Sequence, residues 1–83
     1  MRILVTIRRG NISVSEEANS VRAAVEQAVQ VFRDYVAPTI GAADAAALTF
    51  AGRHLEHPAN TSVVELYLLD ENDETVNVKL EKI

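Results

Sequence analysis

Leu48-Thr49-Phe50-Ala51-Gly52-Arg53-His54-Leu55-Glu56 is the stretch on which the fold reading turns. Leu48-Thr49-Phe50 reads as a short strand, Ala51-Gly52 as a turn, and His54-Leu55-Glu56 as a very short second strand. Upstream, Met1, Ile3, Val5 and Ile7 alternate with Arg2, Leu4, Thr6 and Arg8. That period of two marks a half-buried strand. Gly10-Asn11 is a turn signal, and Ile12 and Val14 alternate with Ser13 and Ser15, which predicts an antiparallel N-terminal hairpin. Asn19 or Ser20 can cap a helix running to about Val36. Val21, Ala24, Val25, Ala28, Val31, Phe32, Tyr35 and Val36 share one face of it, and Pro38 and Gly41 stop it.

The alanine-rich segment 41–47 fits either a helical extension or a loop with a short turn; its position favours the loop. Downstream, Pro58-Ala59-Asn60 reads as a loop, and Thr61 or Ser62 caps one helical turn through Val63, Val64, Glu65 and Leu66. Asp70 to Glu74 is a polar turn, and Thr75 to Leu80 alternates as a last strand. A helix crossing between strands favours a mixed sheet with the helix on one face. The expected fold class is α+β, a mixed four- or five-stranded sheet packed on one main helix. The predicted core is Ile3, Val5, Ile12, Val14, Val21, Val25, Ala28, Phe32, Leu48, Leu55, Leu66, Val76 and Val78.

The chain has 83 residues, room for a single domain over 1–83, and 48% hydrophobic residues suffice for one core. It has no cysteine, which excludes a disulfide scaffold, a thiolate metal site and a cysteine nucleophile, and fits a reducing cytoplasm. The apolar N-terminal run is too short for a signal peptide or membrane span. A net charge of −4 argues against nucleic acid, which needs a basic field. Scarce lysine (Lys79 and Lys82) beside abundant alanine points to a bacterial genome rich in G and C.

The Leu48–Glu56 stretch resembles the Leu-x-Phe-Ala-Gly-Lys-x-Leu-Glu segment of ubiquitin. Ser62-Val63-Val64-Glu65-Leu66 and Asp73-Glu74-Thr75-Val76-Asn77-Val78 are similar to the family's closing pattern, and the hairpin with Gly10 and the helix from Val21 match in place. The likeness spans essentially the whole chain, with a longer helix-to-strand region and a longer turn before Thr75. It implies a ubiquitin-like β-grasp. It also implies a protein modifier, activated at its C-terminus once a diglycine tail is present and then attached to targets. Its partners would be activating and conjugating enzymes and an isopeptidase. The alternative is a non-covalent ubiquitin-like interaction subunit. Neither reading involves catalysis, a cofactor, a membrane or a small-molecule substrate.

By the same likeness, the partner-binding sheet face corresponds to Arg8, Thr49, Asn77 and Lys79, all polar or charged where the family is apolar. Common ubiquitin readers are therefore expected not to bind. Glu81, Lys82 and Ile83 take the place of the tail, with Ile83 where a diglycine would be about to begin. Arg53 occupies the place of the main chain-building lysine, and its guanidinium stays protonated.

Other clusters have plainer readings. His54, Glu56 and His57 match no helical metal-binding spacing and are expected on an exposed turn. Asp70-Glu71-Asn72-Asp73-Glu74 lacks the glycine and distal glutamate of a calcium loop, so a solvated turn is expected. Glu16 and Glu17, adjacent at a strand exit, point apart. Arg8, Arg9 and Lys79 form either a basic patch or ordinary surface charge, and Tyr35 and Phe32 are expected in the core. No Ser-His-Asp arrangement is legible.

Overall fold

The computed structural model describes residues 1–56, 61–70 and 72–83. Strand β1 (Ile3–Arg9) and strand β2 (Ile12–Ala18) form the expected hairpin, followed by helix α1 (Val21–Tyr35). Helix α2 (Ala42–Glu56) comes next, then strands β3 (Val63–Leu69) and β4 (Thr75–Lys82). The sheet order is β2-β1-β4-β3, and every pairing is antiparallel.

The hairpin forms where glycine permits it. Arg9 pairs with Ile12, leaving Gly10-Asn11 as a two-residue loop, and Gly10 takes the left-handed φ of +57° that such a loop requires of its first central residue. Ser20 caps α1: its hydroxyl accepts the Ala23 N–H at 3.1 Å, satisfying a donor with no partner inside the helix. Val21, Ala24, Ala28, Val31 and Phe32 form the buried stripe of α1. Tyr35, expected beside Phe32 in the core, is 52% exposed at the last turn.

The stretch Leu48–Glu56 is not strand-turn-strand. It is the C-terminal part of α2, and the alanine-rich segment before it is the helix's first half. Alanine is the strongest helix former, and Leu48, Gly52 and Leu55, spaced by four and three, are the residues α2 buries. Gly52 serves packing here. A Cβ at this position would lie 2.7 Å from Cγ2 of Val25 and 3.1 Å from Cγ1 of Val21, so only glycine lets α1 approach so closely. The helical turn expected from Ser62 is likewise absent: Val63–Leu66 opens β3. The loop expected at Pro58-Ala59-Asn60 lies outside the described residues.

The second helix explains why the sheet is antiparallel rather than mixed. A 15-residue helix is roughly 22 Å long and a seven-residue strand about 23 Å, so each element carries the chain once across the sheet. One helix after β2 would deliver β3 at the opposite end and run β4 parallel to β1. Two helices return the chain to the end where β2 finishes, so β4 descends antiparallel to β1. The expected single main helix is thus two, and the expected mixed sheet has four antiparallel strands.

The core lies between one face of the sheet and the two helices. Ile3, Val5 and Ile7 from β1, Val76, Val78 and Leu80 from β4, and Leu68 from β3 meet Ala24, Ala28, Val31, Phe32, Leu48 and Leu55. Val14, Val25 and Leu66 are half-buried against this cluster rather than inside it. Ile12, predicted in the core, is 47% exposed at the start of β2, beside the hairpin loop. Ile7, Ala18, Ala24, Val31, Leu68 and Leu80 complete the core beyond the predicted set.

Asp70 anchors the turn from β3 to β4. Its Oδ1 accepts the N–H groups of Asn72 at 2.8 Å and Glu74 at 2.9 Å, and its Oδ2 lies 3.4 Å from Nη1 of Arg9. The same Arg9 nitrogen reaches the Val36 carbonyl at the end of α1, where a cation complements the helix dipole. Asp73 follows with a φ of +61°, a left-handed conformation that aspartate tolerates. The Glu74 N–H chiefly holds the Asp70 carboxyl below its usual range, against the opposing effect of burial, with smaller help from the Asn72 N–H and the Arg9 charge. The polar turn is therefore a buried carboxylate bracing the strand ends and not a fully solvated loop; Glu71 lies outside the described residues.

Two outcomes test this account. Gly52→Ala, which in an exposed helix stabilises by about 1 kcal/mol, is expected here to destabilise by ~1–3 kcal/mol through overpacking against Val25. Adding Val25→Ala should recover part of the loss in a double-mutant cycle; a Gly52→Ala protein more resistant to urea than wild type rules out the close contact. For Asp70, a folded-state pKa held low gives stability that is present above the unfolded value of about 3.9 and lost as pH falls through the folded value. Asp70→Asn should be less stable than wild type near neutrality, and the gap should shrink below about pH 3.9. Urea midpoints separated equally at neutral and acid pH contradict that role.

Candidate protein-binding surface

Because side chains alternate across a strand, the sheet's second face carries the residues the core does not use. The strand registers align them into three rows. Glu17, Leu4, Glu81 and Val63 form one; Ser15, Thr6, Lys79 and Glu65 the next; Ser13, Arg8, Asn77 and Tyr67 the third. Neither α1 nor α2 covers this face: α1 lies over β1 and β2, and α2 over β3, on the opposite side. Its middle is an open depression of about 440 Å³ lined by Leu4, Thr6, Arg8, Glu65, Tyr67, Asn77, Lys79 and Glu81.

The charges interleave rather than segregate. Lys79 Nζ lies 4.0 Å from Glu81 Oε2, and Asn77 Nδ2 and the Tyr67 hydroxyl each donate to Glu65 Oε2 at 3.4 Å. Thr6 and Ser15 share a hydroxyl hydrogen bond at 3.2 Å, and Arg2 pairs with Glu17 at 2.7 Å at the rim, which raises the Arg2 pKa. Arg8 is exposed and makes no ion pair among the described residues. An exposed guanidinium next to the Asn77 amide, with the Tyr67 ring one strand further along the same row, is suited to fork-like recognition of a carboxylate.

Of the four residues expected on a partner-binding face, the structure brings together three: Arg8, Asn77 and Lys79. Thr49 is elsewhere. It lies on α2, its hydroxyl donates to the Ala45 carbonyl at 3.1 Å, and it lines a groove of about 440 Å³ between α1 and α2 with Arg22, Glu26, Arg53 and Glu56. Its displacement follows from α2 replacing the expected strand. Glu81 and Lys82, expected as tail, belong to β4 and pair with Leu4 and Ile3, while the Ile83 N–H donates to the Arg2 carbonyl. Leu4 and Thr6 share this face with Arg8 through the alternation of β1, whereas Glu65 and Tyr67 were not expected on it. The period-two pattern of Val63–Leu69 is the signal that places Glu65 and Tyr67 there.

Of the two readings of Arg8, Arg9 and Lys79, a shared basic patch does not include Arg9, which turns under the sheet end to Asp70. His54 packs edge-to-face on Phe50, with ring centroids 4.8 Å apart. No group of three or more metal-ligating side chains occurs among the described residues, which exclude His57. No helix among them is long and apolar enough to cross a membrane. Comparison with known proteins finds no matching family model, no matching curated protein and no matching solved structure.

Proposed function

We propose that this chain is a non-covalent protein-interaction domain, acting by binding rather than catalysis. The open sheet face carries the reading: polar and aromatic side chains on rigid strands, with Arg8 free of any ion pair among the described residues. Strands fix side-chain positions before binding, which lowers the ordering cost of association. A partner matching this face presents an acidic group to Arg8, polar groups to Asn77 and Thr6, and an apolar group to Tyr67 and Leu4. Interleaved charges favour a dedicated partner, because a wrong one meets like charges or unpaired buried ones. The lack of cysteine supports a reducing, cytoplasmic setting.

The covalent-modifier reading has less support. Its β-grasp basis required strands at Leu48–Phe50 and His54–Glu56 and a mixed sheet, whereas these residues lie in α2 and the sheet is antiparallel. Glu81 and Lys82, expected in the tail, pair with Leu4 and Ile3 as part of β4. What supports a ubiquitin-like relation is the N-terminal hairpin leading into a helix that packs on the sheet.

Immobilised wild-type chain should retain a defined set of proteins from its source cells. Arg8→Glu should reduce that capture about tenfold or more, while Arg53→Glu, in the groove between the helices, should not. Equal loss with both substitutions, or with neither, removes the sheet face as the binding site. On a denaturing gel the tagged chain should run as one species; a ladder of heavier adducts would return the modifier reading to first place.

A further inference from the structure

Strand β3 is an edge strand of the sheet among the described residues, and its own sequence carries few of the usual edge protections. Val63-Val64-Glu65-Leu66-Tyr67-Leu68-Leu69 contains no proline, no lysine and a single charge. The opposite edge, β2, carries exposed Glu16 and Glu17. Around β3 the exposed apolar groups gather: Val63, Tyr67 and Leu69 on the strand, and Phe50 on α2, each at least 42% exposed. Beneath the edge an apolar groove of about 370 Å³ runs between Phe50, Ala47, Ala51 and His54 of α2 and Val64 and Leu66 of β3.

The hydrogen-bond phase of β3 is fixed at both ends. The Lys82 N–H donates to Ser62 O at 2.8 Å, and the Asp70 N–H to Glu74 O at 3.0 Å. In an antiparallel ladder alternate residues bond to one neighbour, so the even-numbered residues face β4. Val63, Glu65, Tyr67 and Leu69 direct their N–H and C=O groups outward. That phase limits how a second β3 can pair. A two-fold axis at Glu65 sets like charges directly opposite each other. An axis at Tyr67 leaves Val63 and Val64 beyond the end of the partner strand. An axis at Leu66 pairs all seven residues: Val63 with Leu69, Glu65 with Tyr67, Val64 with Leu68, and Leu66 with itself.

We propose that two copies of this chain form a symmetric dimer through antiparallel β3–β3 pairing centred on Leu66, joining their sheets into one. Each Glu65 then faces the partner's Tyr67, whose hydroxyl can donate to the carboxylate. On the inner face the two Leu66 side chains meet, and each apolar groove opens toward the other copy's α2. The contact is isologous and closes on itself, and the acidic β2 edges resist further growth into a filament.

Light scattering on the whole 83-residue chain across micromolar to millimolar concentrations should show the mass rising from 9.1 kDa toward twice that value. Tyr67 is exposed, so charged substitutions there should leave the far-ultraviolet circular dichroism unchanged. Tyr67→Glu sets two carboxylates against the two Glu65 side chains and should weaken the dimer about tenfold. Tyr67→Lys sets cations there and should hold or tighten it. Amide exchange of Glu65 and Tyr67 should slow as concentration rises, and that of Leu66 should not. A monomer throughout the range, equal effects of the two substitutions, or amide exchange indifferent to concentration overturns the proposal.

Discussion

Strands β1 and β4 pair along the middle of the sheet, and the rest of the fold is arranged around that contact. Their inward residues supply much of the core: Ile7 lies beside Val78 and Val5 beside Leu80. The pairing closes a separation of about seventy residues, so its entropy cost precedes its reward. Two features make it possible. The β1–β2 hairpin forms locally at Gly10, and the β3–β4 turn is clamped by Asp70. Arg9, at the end of β1, holds both that turn and the end of α1, so one side chain ties three segments at the same end of the molecule.

The direction of β4 depends on the number of helices, and the helices depend on each other through Gly52. Without a Cβ at that position, Val21 and Val25 of α1 sit directly against α2. This contact lets two helices share one sheet face, α1 above β1 and β2 and α2 above β3, so that both fit over a four-stranded sheet. The glycine that reads as a turn residue in the sequence serves a close helix–helix approach. The same packing leaves the other sheet face free of both helices, with polar and aromatic side chains exposed on it.

The two surfaces differ in chemistry in a way that separates their proposed roles. The open face mixes both charge signs with amide, hydroxyl and phenol groups, which discriminates between partners more than it drives association. The β3 edge offers backbone donors and acceptors with apolar side chains on both sides, which suits a strand of matching pattern. Tyr67 lies on both, at the seam. In a dimer paired there, the two open faces would become one continuous surface.

The sequence alone determined the elements whose signals are local. Alternation in Ile3–Arg9 and Thr75–Lys82, the Gly10-Asn11 turn, the Ser20 cap and the helical stripe from Val21 were legible because each depends on neighbours a few residues apart. Arg8, Asn77 and Lys79 were legible as one face for the same reason, once β1 and β4 were strands. The segment 42–56 was legible in principle, since alanine content and the spacing of Leu48, Gly52 and Leu55 both favour a helix, although its likeness to a strand motif points the other way. Tertiary structure decided what no local pattern encodes. That β4 runs antiparallel to β1, that Thr49 faces away from Arg8 and that Arg9 turns to Asp70 all follow from where a second helix sets the chain down, and that Ile12 stays exposed follows from its place beside the hairpin loop. Side-chain periodicity specifies which face of an element is apolar; which elements meet, and in which direction, is settled only by packing them together.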